Sequence, residues 1–343
     1  MEVALQTIWI FLWGLLWAIF FMTSGFDLGV GSLFPFLGKN DMDKRVMINS
    51  IGPLWDGNEV WLITAGGVTF AAFPAVYAFM FSSLYTPLLL ILFALIFRGV
   101  SFEFRGKVES ETWKKLWDVT IFVSSVLPAI LFGVAFANIF QGLPFDQSGY
   151  QGDLIYLLNP YGLLGGLLFL MFFLLHGALW LTIRVSGDLL ERSDSAANKL
   201  WFVLTGVAVL FLGATYVYTP IYENYLSTPL LFVVPLITVA ALFGTKFLLI
   251  KKDYLKAWIS SAATIVSATF FCIIGLFPNL FPSNIDNVYS LTAYNSSASQ
   301  LTLTIMLVVV SIFIPLVIGY QYWAYFIFSG KVTEEDLAEE GAY

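Results

Sequence analysis

Stretches of roughly twenty apolar residues recur along the chain, near 6–33, 50–72, 75–98, 117–142, 160–184, 199–220, 229–250, 257–280 and 303–328. Each is long enough to cross a bilayer as a helix, and in hydrocarbon a helix satisfies its own backbone groups. The chain therefore reads as an all-α polytopic membrane protein of about nine transmembrane helices, forming one integral membrane domain over 1–343. Spans two and three are separated only by the turn signal at Phe73 and Pro74; fused, they would bring the termini to one side. Composition agrees, with 59% hydrophobic residues, 11% charged residues and a mean hydropathy of +0.84, more apolar side chain than a water-soluble core absorbs. Met1 is followed by Glu2 rather than a basic region, and no small-residue cleavage site precedes the first apolar run, so that run is expected to stay as helix one.

Basic residues in short loops are retained on the cytoplasmic side. Lys39, Lys44 and Arg45 follow span one, and Arg98, Arg105, Lys107, Lys114 and Lys115 follow span three. Arg184, Arg192 and Lys199 follow span five, Lys246, Lys251, Lys252 and Lys256 follow span seven, and Lys331 follows span nine, which accounts for all 16. The alternate loops, near 73–74, 143–159, 221–228 and 281–302, hold none. Nine spans with the N-terminus outside and the C-terminus cytoplasmic satisfy this pattern. No loop is long enough for a soluble domain, so function is expected in the membrane or in a partner. The tail Thr333-Glu334-Glu335-Asp336 reads as a short helix start.

A net charge of -7 excludes nucleic acid as a partner, since phosphate calls for a basic surface. A single cysteine, Cys272, excludes a disulfide framework and a multi-cysteine metal or iron–sulfur site.

Acids at membrane depth cost roughly 2.5–3.5 kcal/mol each on insertion scales and so need a reason. Asp27 stands in Gly25-Phe26-Asp27-Leu28-Gly29-Val30-Gly31 towards the cytoplasmic end of span one. Asp56 and Glu59 stand three apart in Trp55-Asp56-Gly57-Asn58-Glu59-Val60-Trp61 near the start of span two, on one helix face. Carboxylates in low dielectric can exchange protons near neutrality, so Asp27, Asp56 and Glu59 are proton-transfer candidates. The structural alternative is that they cap a neighbouring helix or pair with Arg98 or Arg45. Gly25 and Gly29 are four apart and form a small-residue packing stripe, the face expected to meet a partner helix. His176 is the only histidine; a six-coordinate heme needs a second axial ligand, so a hydrogen bond to a neighbouring helix suits it better. The tryptophans at 9, 13, 17, 201 and 323 fit interface belts and packing, whereas Trp55 and Trp61 flank the acids.

The motifs GFDLGVG (Gly25 to Gly31), MINSIGPLWDGNEVWLITAGG (Met47 to Gly67), FRGVSFEFR (Phe97 to Arg105), NPYGLLGG (Asn159 to Gly166), SASQLT (Ser297 to Thr302) and the segment from Gln321 to Val332 recur in order along the chain. Together they resemble subunit II of the cytochrome bd and cyanide-insensitive quinol oxidases. The resemblance implies two four-helix bundles plus a peripheral helix, paired with a pseudosymmetric subunit I. It also implies that subunit I ligates the hemes, b and d, and oxidises quinol, that oxygen is reduced to water by the complex, and that this chain ligates no heme. Some members hold a quinone in subunit II, and small accessory subunits can join.

On the same resemblance Trp55, Asn58, Trp61 and Arg98 are candidates for the subunit interface or a heme edge. Asp56 ranks above Asp27, and above Glu59, whose place can be taken by glutamine. The rival class is a secondary transporter using the same carboxylates. Transporters show matched broken helices in two halves; here the acids fall in the first two spans, and Pro235, Pro278 and Pro315 in the second half face no intramembrane carboxylate.

Overall fold

The structure is a computed structural model that describes residues 2–333 and 335–338; Met1, Glu334 and residues 339–343 lie outside the described residues. Thirteen helices follow one another among them: α1 Glu2–Leu37, α2 Asp41–Ile51, α3 Trp55–Ala72, α4 Pro74–Ser83, α5 Tyr85–Arg105, α6 Glu111–Gln141, α7 Leu154–Leu157, α8 Pro160–Arg184, α9 Gly187–Tyr218, α10 Tyr222–Ser227, α11 Val233–Ile250, α12 Tyr254–Leu276 and α13 Gln300–Ile327. Their starts carry the expected chemistry: the side chains of Asn40, Ser110 and Asn159 accept from Asp43 N, Trp113 N and Gly162 N, and Pro160 occupies the first turn of α8.

Eight of these segments are long and apolar enough to cross a membrane. Helix α3, the second span expected from the sequence, is not among the eight, its apolarity being diluted by Asp56, Asn58 and Glu59 in its first turns. Its far end is tied to the loop before α13, where Ala298 N donates to Ala72 O at 2.8 Å, and α4 and α5 carry the chain back to Arg105. The separation at Phe73 is real: its φ of -134° and ψ of 64° leave the helical region, and Pro74 starts α4. The third span is itself interrupted at Leu84, a break that hydropathy alone does not reveal.

Helices α1, α3, α5 and α6 form one bundle, α8, α9, α11 and α12 a second, and α13 lies at the periphery against α1 and α3. Only Leu303 of α13 is buried. Helix α8 is central, packing on α1, α6, α9 and α12. Glycines permit the closest of these approaches. A Cβ on Gly177 of α8 would stand 2.8 Å from Gly29 Cα, and one on Gly133 of α6 would stand 2.7 Å from Gly166 Cα. Gly25 likewise faces the Phe173 ring of α8. The Gly25 and Gly29 stripe therefore packs inside this chain, which corrects the expectation that it meets a partner helix. Outward glycines are found on α3 instead, where a Cβ on Gly57, Gly66 or Gly67 would meet nothing within 4 Å.

The basic loops collect at one end. Lys44 and Arg105 pair with Asp118 at 2.7 and 2.6 Å, Arg105 reaches Asp41 at 2.8 Å, and Arg192 reaches Asp43 at 2.6 Å. Burial raises the Asp41 carboxyl, but Arg105 and Lys114 outweigh it and hold the group below its ordinary range. The C-terminal segment docks at the same end: Val332 N donates to Arg184 O at 2.8 Å, the Arg184 side chain donates to Gly330 O, and Arg45 Nη2 donates to Leu337 O at 2.6 Å. Of the tail motif Thr333-Glu334-Glu335-Asp336, Glu334 lies outside the described residues, and a single 3-10 turn, Asp336–Ala338, begins at its last residue.

At the opposite end two antiparallel hairpins form, β1 Phe145–Asp146 with β2 Gly149–Tyr150 and β3 Asn279–Phe281 with β4 Leu291–Thr292. Leu143 N donates to Pro282 O at 3.0 Å, which ties the two loops together.

Candidate functional site

Three helices bring their polar side chains together near the basic end. Asp27 of α1 is 0% exposed and accepts at Oδ2 from Asn58 Nδ2 of α3 at 2.8 Å. The Oδ1 of Asn58 in turn accepts from Tyr325 OH at 2.8 Å and from Gln321 Nε2 at 3.3 Å, both on α13. Trp61 Nε1, one turn along α3, donates to Gln321 Oε1 at 2.8 Å. Beside this network the fully buried Arg98 of α5 donates through Nη1 to Glu59 Oε1 at 2.7 Å and lies over the Phe102 ring at 5.2 Å. Among the described residues, Asp27 Oδ1 and Arg98 Nε and Nη2 have no hydrogen-bond partner. A buried carboxyl with one free oxygen can exchange a proton, and a buried guanidinium with two free donors can hold a polar group.

Asp56 stands apart from this cluster. It lies in the first turn of α3 and is exposed, while Asn58, two residues on, turns inward to Asp27. Trp55 packs edge-on to Phe102 at 5.7 Å and covers Gly99. Gln321 and Tyr325 carry no charge at neutral pH and so do not stand out in the sequence; the signal for Gln321 is an amide within an otherwise apolar span.

His176 lies in the second bundle, fully buried. Its Nδ1 is 3.1 Å from Ser261 Oγ and its Nε2 is 3.1 Å from Met22 O, and the ring stacks on Trp258 with centroids 5.1 Å apart. A carbonyl only accepts, so Nε2 carries the hydrogen and Nδ1 accepts from Ser261. Both ring nitrogens are thus engaged within the chain, and His176 does not fit an axial ligand. Among the described residues no group of three or more His, Cys, Asp or Glu could hold a metal ion. Where the second bundle meets α1 and α6 lies an apolar cavity of about 120 Å³, lined by Phe21, Phe136, Phe169, Phe173, Phe211 and Cys272 among others.

Fold and site together define a multi-pass membrane protein that keeps a small set of ionisable groups inside its helices. The chain belongs to the cytochrome bd terminal oxidase subunit II family, whose sequence pattern matches residues 5–328. It is 36% identical to the cytochrome bd-I ubiquinol oxidase subunit 2 of Escherichia coli K12, over 97% of this chain and 96% of that protein. It is 37% identical to the cytochrome bd ubiquinol oxidase subunit 2 of Bacillus subtilis 168, over 97% and 98%. A chain of the bd oxidase structure from Geobacillus thermodenitrificans superposes with a TM-score of 0.78 at 17% identity, covering 95% of this chain and 98% of that one, a likeness of fold. The chain is accordingly a subunit of an oxidoreductase complex, and the transporter reading is set aside.

Proposed function

We propose that this chain is the half of a quinol:oxygen oxidoreductase that ligates no heme. It pairs with a heme-bearing subunit I and carries protons from the cytoplasm towards the partner's oxygen-reducing site. The observation that carries the reading is Asp27: fully buried, held at one oxygen by Asn58 and open at the other. Glu59 and the exposed Asp56 extend the acids from Asn58 to the surface of α3. The loop charges support a cytoplasmic position for this end, with the N-terminus outside, in a bacterial or archaeal plasma membrane. The hemes b and d belong to the partner and supply electron transfer and oxygen chemistry there; this chain's share is to bind the partner and to hold and pass protons.

The outward face of α3 supports the docking assignment. An exposed carboxylate at the start of a span is unfavourable against lipid, and Gly57, Gly66 and Gly67 allow a helix to approach closely. The apolar cavity between the bundles suits part of the isoprenoid chain of a quinone.

The test is to purify the tagged chain in mild detergent, identify co-purifying proteins, record reduced-minus-oxidised spectra and extract bound quinone. Heme bands and quinol-driven oxygen uptake are expected only in preparations that contain the partner. A heme-free, partnerless preparation that transports a solute would overturn the reading. In the complex, His176→Ala should leave the heme spectrum nearly intact while lowering thermal stability by about 1–3 kcal/mol, the cost of stranding Met22 O and Ser261 without their partner. Loss of a heme band in that variant would instead make His176 a ligand.

A further inference from the structure

A side-chain amide has two ends, and which end meets a carboxyl decides whether that carboxyl receives a donor or faces a second acceptor. In this chain Thr23 O accepts from Asn58 Nδ2 at only 3.5 Å, and the shorter contacts that set the choice start from an obligate donor at the far end of the network. An indole nitrogen only donates, so Trp61 Nε1 requires the oxygen of Gln321. That turns Gln321 Nε2 towards Asn58, whose oxygen must answer it, and Asn58 Nδ2 is left to face Asp27. Tyr325 reinforces the same sense, its hydroxyl donating to Asn58 Oδ1 at 2.8 Å. The polarity runs unbroken from α3 through α13 and back through α3 to α1.

These two side chains are conspicuous on their helix. Among the described residues of α13 only Leu303 is buried, yet Gln321 and Tyr325 are drawn inward, and the Tyr325 ring packs edge-on to Phe26 at 6.3 Å and Trp180 at 6.0 Å.

We propose that Gln321 and Tyr325 are positioning residues for proton transfer: they fix the Asn58 amide so that it donates to Asp27, and thereby leave the other Asp27 oxygen free to exchange. The proposal rests on the proton-uptake reading above. It unites the WDGNEVW stretch of α3 with the segment beginning at Gln321, two motifs more than 250 residues apart, as parts of one device.

The test is a double-mutant cycle in the assembled complex, with quinol-driven oxygen consumption, heme content and thermal midpoint measured on each preparation. Tyr325→Phe keeps the ring contacts and removes one donor; about a fivefold loss of turnover at full heme content is expected, and about tenfold when Gln321→Leu is added, since one hydrogen bond of ordinary strength corresponds to such factors. Placed on an Asp27→Asn background, the same pair should add no further loss, because both changes act through one amide. Losses that multiply with Asp27→Asn would reduce Gln321 and Tyr325 to anchors of α13 and overturn the proposal. So would unchanged turnover in the pair while Asp27→Asn alone is slow, an outcome that leaves the proton path standing. Full turnover in Asp27→Asn alone would instead sink the proton-path reading itself. Should the pair fail to assemble, Tyr325→Phe carries the cycle by itself, since it removes a single oxygen atom.

Discussion

Gly29→Leu is expected to abolish accumulation of the folded chain in the membrane, with no complex recovered. A Cβ at this position collides with the backbone carbonyl of Phe173 and reaches within 3.0 Å of Gly177 Cα. Backbone cannot rotate aside as a side chain can, so α1 and α8 would have to separate. That contact joins the two bundles, and overpacking a close helix crossing costs about 1–3 kcal/mol even where neighbours can yield. Gly66→Leu on the outward face of α3 provides the contrast, since nothing within the chain lies within 4 Å of its Cβ. This variant should accumulate normally yet co-purify with much less of its partner. Quantitative immunoblotting of membranes, followed by pull-down of the partner, separates the two. Normal levels and an unchanged thermal midpoint for Gly29→Leu would show that α1 and α8 are not in close contact.

Asp27→Asn is expected to slow quinol-driven oxygen consumption by roughly 10²-fold, the lower range for removing a group that transfers protons, with heme content preserved. The substitution keeps the volume and leaves an oxygen for Asn58 Nδ2, so assembly has little reason to suffer. Asp56→Asn should slow turnover less. The sequence ranks these acids the other way, with Asp56 first; burial reverses the order, because an exposed carboxylate has alternatives for exchange that a wholly buried one lacks. Heme loss ahead of rate loss in Asp56→Asn would assign that residue to the subunit interface. Full turnover with full heme in the Asp27→Asn, Asp56→Asn double variant would remove this chain from the proton path.

Much of this architecture is legible in the residues. Apolar runs, the Phe73-Pro74 break, the Asn159-Pro160 start of α8 and the alternation of basic loops locate the crossings because each reflects a local rule, of hydropathy, backbone geometry or charge. The site is less legible because it depends on helix rotation and on contacts across long separations. Asp56 and Glu59 share a face by spacing, but spacing does not say which face turns inward; Asn58, between them, makes the contact to Asp27. The Arg98–Glu59 pair joins residues that suit each other chemically, whereas the attachment of Asn58 to Gln321 and Tyr325 spans more than 260 residues and involves no charge. The interruption at Leu84 does carry a local signal, Ser82-Ser83 before it and Thr86-Pro87 after it, but a hydropathy average over about twenty residues smooths it away.

The peripheral placement of α13 bears on the order in which a ribosome delivers the parts. Helices α1 and α3 are synthesised early, so Asp27 and Asn58 are made before the 227 residues that separate α3 from α13. Until α13 arrives, Trp61 has no Gln321 to address, and the Asn58 amide is oriented only by its 3.5 Å contact to Thr23 O of α1. A chain arrested after α12 would hold both bundles yet leave its buried acid with a loosely held donor. Maturation of the site is thereby tied to translation of the last span, and an insertion defect confined to α13 would surface as a functional lesion at a residue of the first.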